Sequence, residues 1–212
     1  MRRHDPDRFL TALFAPAARR EALFTLYALN HELARAREVA REPMMALVRL
    51  QWWREVIEGA RRRHEVAGPV GEALDAGALL AADLEGMIAG REMEVEGADW
   101  PAWILATAGG VAVAAGCACR FPHPGPLPEG EGEVRRLGAA YGVAGLWRGG
   151  RISLEEARGQ GLEWLRAGPV SRAVRPAVLV AALARRDLAR EVPVMKRGLG
   201  DKLAVVRMAF SV

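Results

Sequence analysis

Lysine is nearly missing from this 212-residue chain: Lys196 and Lys202 are the only two, so the other 28 of its 30 basic residues are arginines. Set against 26 acidic residues, they leave a formal charge of +4. Arginine suits bidentate contacts to phosphate, as in lipid headgroups, diphosphates or nucleic acid, although abundant Arg and Ala also follow from base composition alone. Cysteine is as scarce. Cys117 and Cys119 sit two apart in an apolar stretch, with no second pair and no His at ligand spacing, which argues against a metal site and for a reduced cytosolic thiol pair. Nothing resembles a secretory signal, because the early charges of "MRRHDPDRFL" have no apolar run behind them; the expected location is the cytoplasm.

Other absences narrow the chemistry. "GGRISLEEARGQG" has glycines but neither a preceding strand nor a Gly-Lys-Ser/Thr, so it is no nucleotide loop. Ser153, Ser171 and Ser211 lack an elbow context, and His4, His31, His64 and His123 are scattered, so a Ser-His-Asp site has no support. No nucleic-acid motif accompanies the arginines, and no nucleic-acid partner is expected. "RRRH" at 61–64 could touch anionic lipid, but a solvated helix end is the simpler reading.

Strand patterns are also rare. Ala, Leu, Arg and Glu dominate, and apolar residues recur every three or four positions, which predicts an all-α fold. The expected helices are a short one holding Phe9, Leu10, Leu13 and Phe14, then 17–41, 44–63 and 71–92 after a break at "VAGPVG". Further helices are expected from Asp99 and Pro101 through the Gly/Ala segment, and near 134–148, 153–166, 170–191 and 196–210. Residues 1–212 read as one domain, a single bundle of about eight helices. The stretch Trp103 to Cys119 is at the lower limit for a bilayer span but is mostly Ala and Gly, and it reads as a buried core helix whose Gly109, Gly110 and Gly116 permit close packing. "FPHPGPLPEGEGE" at 121–133 is too rich in Pro and Gly for a helix or strand, and reads as a flexible surface insertion outside the core.

On the second helix Tyr27, Asn30, Ala34 and Glu38 share a face. Carboxylates one turn apart on such a face can hold Mg²⁺ against a substrate's phosphates. Together "DRFLTALFAPAARREALFTLYALNHELARAREV", "RLQWWREVIEGA", "MIAGREMEVEGADWPAWILATAGG" and "LGAAYGVAGLWR" resemble, in order, the squalene/phytoene synthase family. The resemblance is closest to a divergent branch that includes respiratory complex I assembly factors.

The resemblance implies a shortened helical bundle of the isoprenoid synthase type. It also implies head-to-head condensation of prenyl diphosphates between two Asp-rich motifs. In the first, the family's paired aspartates fall at Ala34 and Arg35 and its last aspartate at Glu38, while a diphosphate-binding arginine falls at His31. In the second, Gly142 and Gly145 replace a Gln and an Asn, Arg148 remains, and Gly149 replaces an Asp, with Gly150 and Arg151 following after a deletion. Glu94, Glu92 or Asp83 could stand in for lost carboxylates.

If the chain is active, the resemblance therefore makes Glu38 and Glu94 the catalytic and Mg²⁺-binding residues, with Tyr27, His31, Arg35, Arg148 and Arg151 on the substrate. Losing ligands from both motifs favours binding without turnover, with no cofactor expected. The implied partners are a prenyl diphosphate or other lipid-like molecule, complex I subunits and a peripheral membrane contact, on the inner membrane. Each residue also has a plainer reading. Glu38 would be an exposed helix carboxylate, Arg148 and Arg151 a helix C-terminal cap, and Trp52 and Trp53 one core ring and one partly exposed ring rather than a prenyl channel.

Overall fold

A computed structural model describes residues 3–120, 127 and 130–211. The described residues are helical throughout, without strands, as the sequence pattern predicts: α1 Pro6–Ala12, α2 Ala17–Glu38, α3 Pro43–Ile57, α4 Ala67–Asp75, α5 Ala81–Val95, α6 Trp100–Cys119, α7 Glu131–Arg148, α8 Leu154–Trp164, α9 Arg175–Val178, α10 Val180–Leu188 and α11 Leu199–Phe210.

Among the described residues, eleven helical segments stand where about eight were expected, the helix expected over 170–191 begins at Arg175 and is split into α9 and α10, and three other places differ from the pattern. α3 ends at Ile57 instead of near residue 63, because the chain turns at Gly59 with φ 108°, a conformation that glycine adopts without strain. "VAGPVG" does not break the chain. Its Gly68 and Pro69 lie in the first turn of α4, where a missing N–H costs nothing, and the break comes instead at Gly77, φ 63°. Most of the segment expected as an insertion, residues 121–126 and 128–129, lies outside the described residues. Its last three residues, Glu131 to Glu133, open α7, and Leu127 is buried in the core, so this part does contribute to packing.

α6 is the wall of the bundle. Its length and hydropathy would allow it to cross a membrane, yet every residue from Thr107 to Cys119 is buried within the protein. One side, with Val111, Ala114, Ala115 and Ala118, packs on the apolar cluster of α2 to α5; the other, with Ile104, Ala112, Val113 and Cys117, packs on that of α7 to α11. Contact with α7 is close enough to require glycine. A Cβ added at Gly138 would lie 2.3 Å from the Ala112 side chain and 2.8 Å from the Ala108 carbonyl oxygen, and one at Gly109 would lie 2.8 Å from the Arg135 carbonyl oxygen. Gly110 has ordinary room, with nothing closer than 3.8 Å. Cys117 and Cys119 are free buried thiols, and burial pushes both up to about 12, which keeps them protonated and unreactive.

Candidate functional site

The faces of α2 and α7 that carry the two motif positions are separated by the start of α1. Asp5 caps α1, its side chain accepting from the Arg8 N–H at 2.9 Å. That cap fixes Arg8 between two tyrosines: its guanidinium carbon lies 5.8 Å from the ring centre of Tyr27 on α2 and 5.1 Å from that of Tyr141 on α7. Tyr27 is thus buried under Arg8 instead of lining a cavity, and burial raises its hydroxyl well above the ordinary range. His4, just before the cap, stacks on His31 with ring centres 4.5 Å apart. Two depressions result, and both include His4. One, of about 650 Å³, is lined by His31, Arg35, Glu38 and Glu65. The other, of about 620 Å³, is lined by Asp7, Tyr141, Arg148, Lys196, Arg197 and Lys202.

His31, Arg35 and Glu38 line one depression, whereas Tyr27, expected on the face of Glu38, does not reach it. Arg35 pairs with Glu32 at 3.2 Å on the surface, and Glu38 is exposed. Glu94 lies elsewhere, its carboxylate held by Arg91 at 2.8 Å and Arg151 at 2.9 Å. Arg151 in turn lies over the Trp103 ring, 5.1 Å from its centre. The other candidate stand-ins are also committed or remote: Glu92 binds Arg54 through both oxygens, at 2.8 and 3.0 Å, and Asp83 faces Cys117.

A buried ionic network fills the α7 side, and nothing in the residue spacing announced it. Asp187 of α10 is fully buried and accepts from Arg190 at 3.0 Å and from both terminal nitrogens of Arg197. Arg197 also donates to Asp7, at 2.7 Å from Nη2, and the Tyr141 hydroxyl donates to the same carboxylate at 2.9 Å. Asp201 of α11 accepts from Arg186 at 2.7 Å, Arg190 at 2.6 Å and the Gly198 N–H at 3.0 Å. Burial alone would raise its carboxyl, but those hydrogen bonds outweigh burial and bring it down to about 2. Arg148 approaches Asp7 and Asp187 only to 3.6 Å, and its buried Nε makes no hydrogen bond. Only the "DPDRF" cap could have been read in advance.

This donor set does not fit Mg²⁺. The metal needs several oxygen ligands that are not already neutralised, whereas Asp7, Glu94 and Asp187 each answer one or more arginines. Among the described residues no three His, Cys, Asp or Glu side chains gather as a metal site. The two glycines of the second motif differ in the room around them. A Cβ at Gly142 would lie 2.6 Å from the Ala108 side chain and 3.2 Å from two Ile104 carbons, so the glutamine expected there by resemblance has no space. At Gly145 the nearest atom is an Arg148 nitrogen 3.9 Å away, and an asparagine would fit.

A third depression, about 420 Å³, adjoins the His31 side and shares Glu32 and Arg35 with it. Val39, Val48, Trp52 and Trp53 supply its apolar walls, and Arg35 and Arg49 are among the residues around it. Trp53 is 4% exposed and Trp52 is partly buried, their rings edge-on at 4.8 Å. His64 meets both edge-on at 5.6 and 5.2 Å, and its Nδ1 accepts from the Val66 N–H at 3.1 Å. Trp53 is thus the core ring and Trp52 the partly exposed one, and both are among the residues lining the cleft. The "RRRH" segment is less available for lipid: Arg61 pairs with Asp75 at 2.6 Å, and Arg62 pairs with Glu55.

No solved structure matches the chain. Two curated relatives do, both described as NADH dehydrogenase (ubiquinone) complex I, assembly factor 6: the Homo sapiens protein is 34% identical and the Bos taurus protein 33%, each over 58 residues. That match covers 27% of this chain and 17% of each relative's length. The profile of squalene/phytoene synthase matches residues 1–159, three quarters of the chain, and with its all-α bundle of the isoprenoid synthase type the chain belongs to the squalene/phytoene synthase family.

Proposed function

We propose that this protein is a non-catalytic member of its family that binds a prenyl or quinone-like chain and supports assembly of respiratory complex I from the cytoplasmic side. The observation that carries the binding half is the cleft between α2 and α3. Its 420 Å³ falls in the range of small-molecule sites. Its walls are aromatic and aliphatic, and Arg35 and Arg49 stand ready for a polar or anionic head. The complex I half is supported by the two relatives, both complex I assembly factors by name.

Against turnover stand the arginine-bound carboxylates on the α7 side and the closed packing at Gly142. Family membership supports the other reading, a Mg²⁺-dependent head-to-head prenyltransferase in isoprenoid biosynthesis, in which Glu38 would be indispensable.

One set of samples separates the readings. Tryptophan fluorescence of the purified protein, titrated with farnesol and with a short-chain ubiquinone, should show saturable quenching that Trp52→Ala removes. The same preparations, given farnesyl and geranylgeranyl diphosphates, Mg²⁺ and NADPH beside an active synthase, should yield no squalene- or phytoene-type product by mass spectrometry. Product that disappears in Glu38→Ala would overturn the non-catalytic reading. Quenching unaffected by Trp52→Ala would remove the cleft, and an absence of both signals would leave a helical adaptor without a ligand.

A further inference from the structure

We infer that the outer face of α11 is a docking surface for an anionic lipid bilayer. At 100° per residue, Leu199, Leu203, Val206 and Phe210 fall on one stripe, and they are 74%, 51%, 39% and 69% exposed. Met195, in the segment before the helix, is also 81% exposed. The opposite side of the same helix is anchored: Val205 and Asp201 are buried, and Asp201 is bound by Arg186 and Arg190. The helix cannot turn its stripe inward without breaking that anchor, so the apolar face stays outward. Scattered exposed apolar residues need no explanation, but an aligned row on one fixed helix face marks an interaction surface.

Charge decides what covers it. Lys202 and Arg207, both exposed, lie on opposite flanks of the stripe, and Lys196 precedes it. The helix's only acid, Asp201, is on the buried side. The outward face is thus apolar along its centre and cationic on both edges, which is the pattern of a helix lying in a bilayer surface, with long basic side chains reaching up to the headgroups. α11 itself, with 12 residues, is shorter than the about 20 that a crossing helix needs. A second copy of this chain fits poorly. A two-fold pairing through this face would bring the basic flanks of the two copies together, with no acid on the outward face of α11 to answer them. This inference stands apart from the Trp52 cleft, since α11 takes no part in it.

Flotation of the full chain with vesicles tests it. The protein should float with phosphatidylcholine vesicles containing phosphatidylglycerol, much less with phosphatidylcholine alone, and lose binding as salt rises. Leu203→Glu should lower the bound fraction at fixed lipid about tenfold or more. Lys202→Glu combined with Arg207→Glu should remove the preference for anionic lipid, and because all three side chains are exposed, the melting temperature should hold in each variant. No flotation, or flotation unchanged by both variants, overturns the inference. So does a dimer in sedimentation that Leu203→Glu dissolves, which would assign the face to a second copy. Failure here leaves the quenching by farnesol untouched, and failure of the quenching leaves flotation untouched.

Discussion

The two sides of the family's active region differ in how they lack its carboxylates. On α2 the motif positions stay at the surface: Glu38 is exposed, Arg35 is half-exposed, and the neighbouring cleft is open. On α7 a depression of about 620 Å³ remains, but its carboxylates are occupied by the chain's own arginines and the helix packs on α6 through glycine-mediated contact. An open surface can change its residues at little cost in stability. A closed network cannot, because each charge has been taken out of water on condition that its partner remains.

The sharpest way to break the comparison is to remove one member from each side. Asp187→Ala leaves Arg190 and Arg197 in the interior without their shared acceptor, and loss of one partner from a buried pair costs about 3–5 kcal/mol. Arg197 also ties Asp7 to the segment before α11, so the N- and C-terminal regions should loosen together. Glu38→Ala, on the exposed side, should change stability by no more than about 0.5 kcal/mol. Urea denaturation of the two variants measures both. A similar loss in each would mean that the α2 side is not the tolerant surface described here.

A smaller effect separates two glycines of the same motif. Gly142→Gln forces a side chain against Ala108 and Ile104 and should cost about 1–3 kcal/mol, the usual range for overpacking. Gly145→Asn, one turn on, meets only the flexible end of Arg148 and should be close to neutral, since glycine within a helix is itself unfavourable. If Gly142→Gln proved as stable as the parent, α6 and α7 would be able to separate, and the glutamine position could be restored.

The helices were legible because apolar spacing and caps act locally. The spacing of Leu47, Leu50, Trp53 and Ile57 predicts α3, and Asp99 with Pro101 predicts the start of α6. Of Tyr27, Asn30, Ala34 and Glu38, expected on one face by the same rule, Glu38 lines a depression while Tyr27 is buried under Arg8. Arg197 and Asp7, however, are 190 residues apart, and no periodicity relates them. Glu94 reads equally well as a spare ligand or as an arginine's partner, because only the tertiary path of Arg151 decides between the two. Composition misled at Gly68 and Pro69, where two helix breakers sit in a first turn that tolerates both.

The last difference is one of pH. Burial, then the stacked His4, lowers His31 from its ordinary 6.5, against the opposing pull of Glu32 and Glu38. A base whose folded value is depressed takes up protons more readily when unfolded, so its contribution to stability is complete above 6.5 and is lost as pH falls through the window below. Nothing comparable occurs at Asp201, whose carboxyl, brought down to about 2, stays charged until far lower pH. Lowering the pH from about 7 to about 5 should therefore separate His4 from His31 and free the start of α1 on the α2 side, while the α7 network holds. The His31 ring proton shift, followed by NMR, should titrate below 6.5. His4→Ala should move that midpoint upward, and a midpoint that did not move would show that His4 takes no part in depressing it.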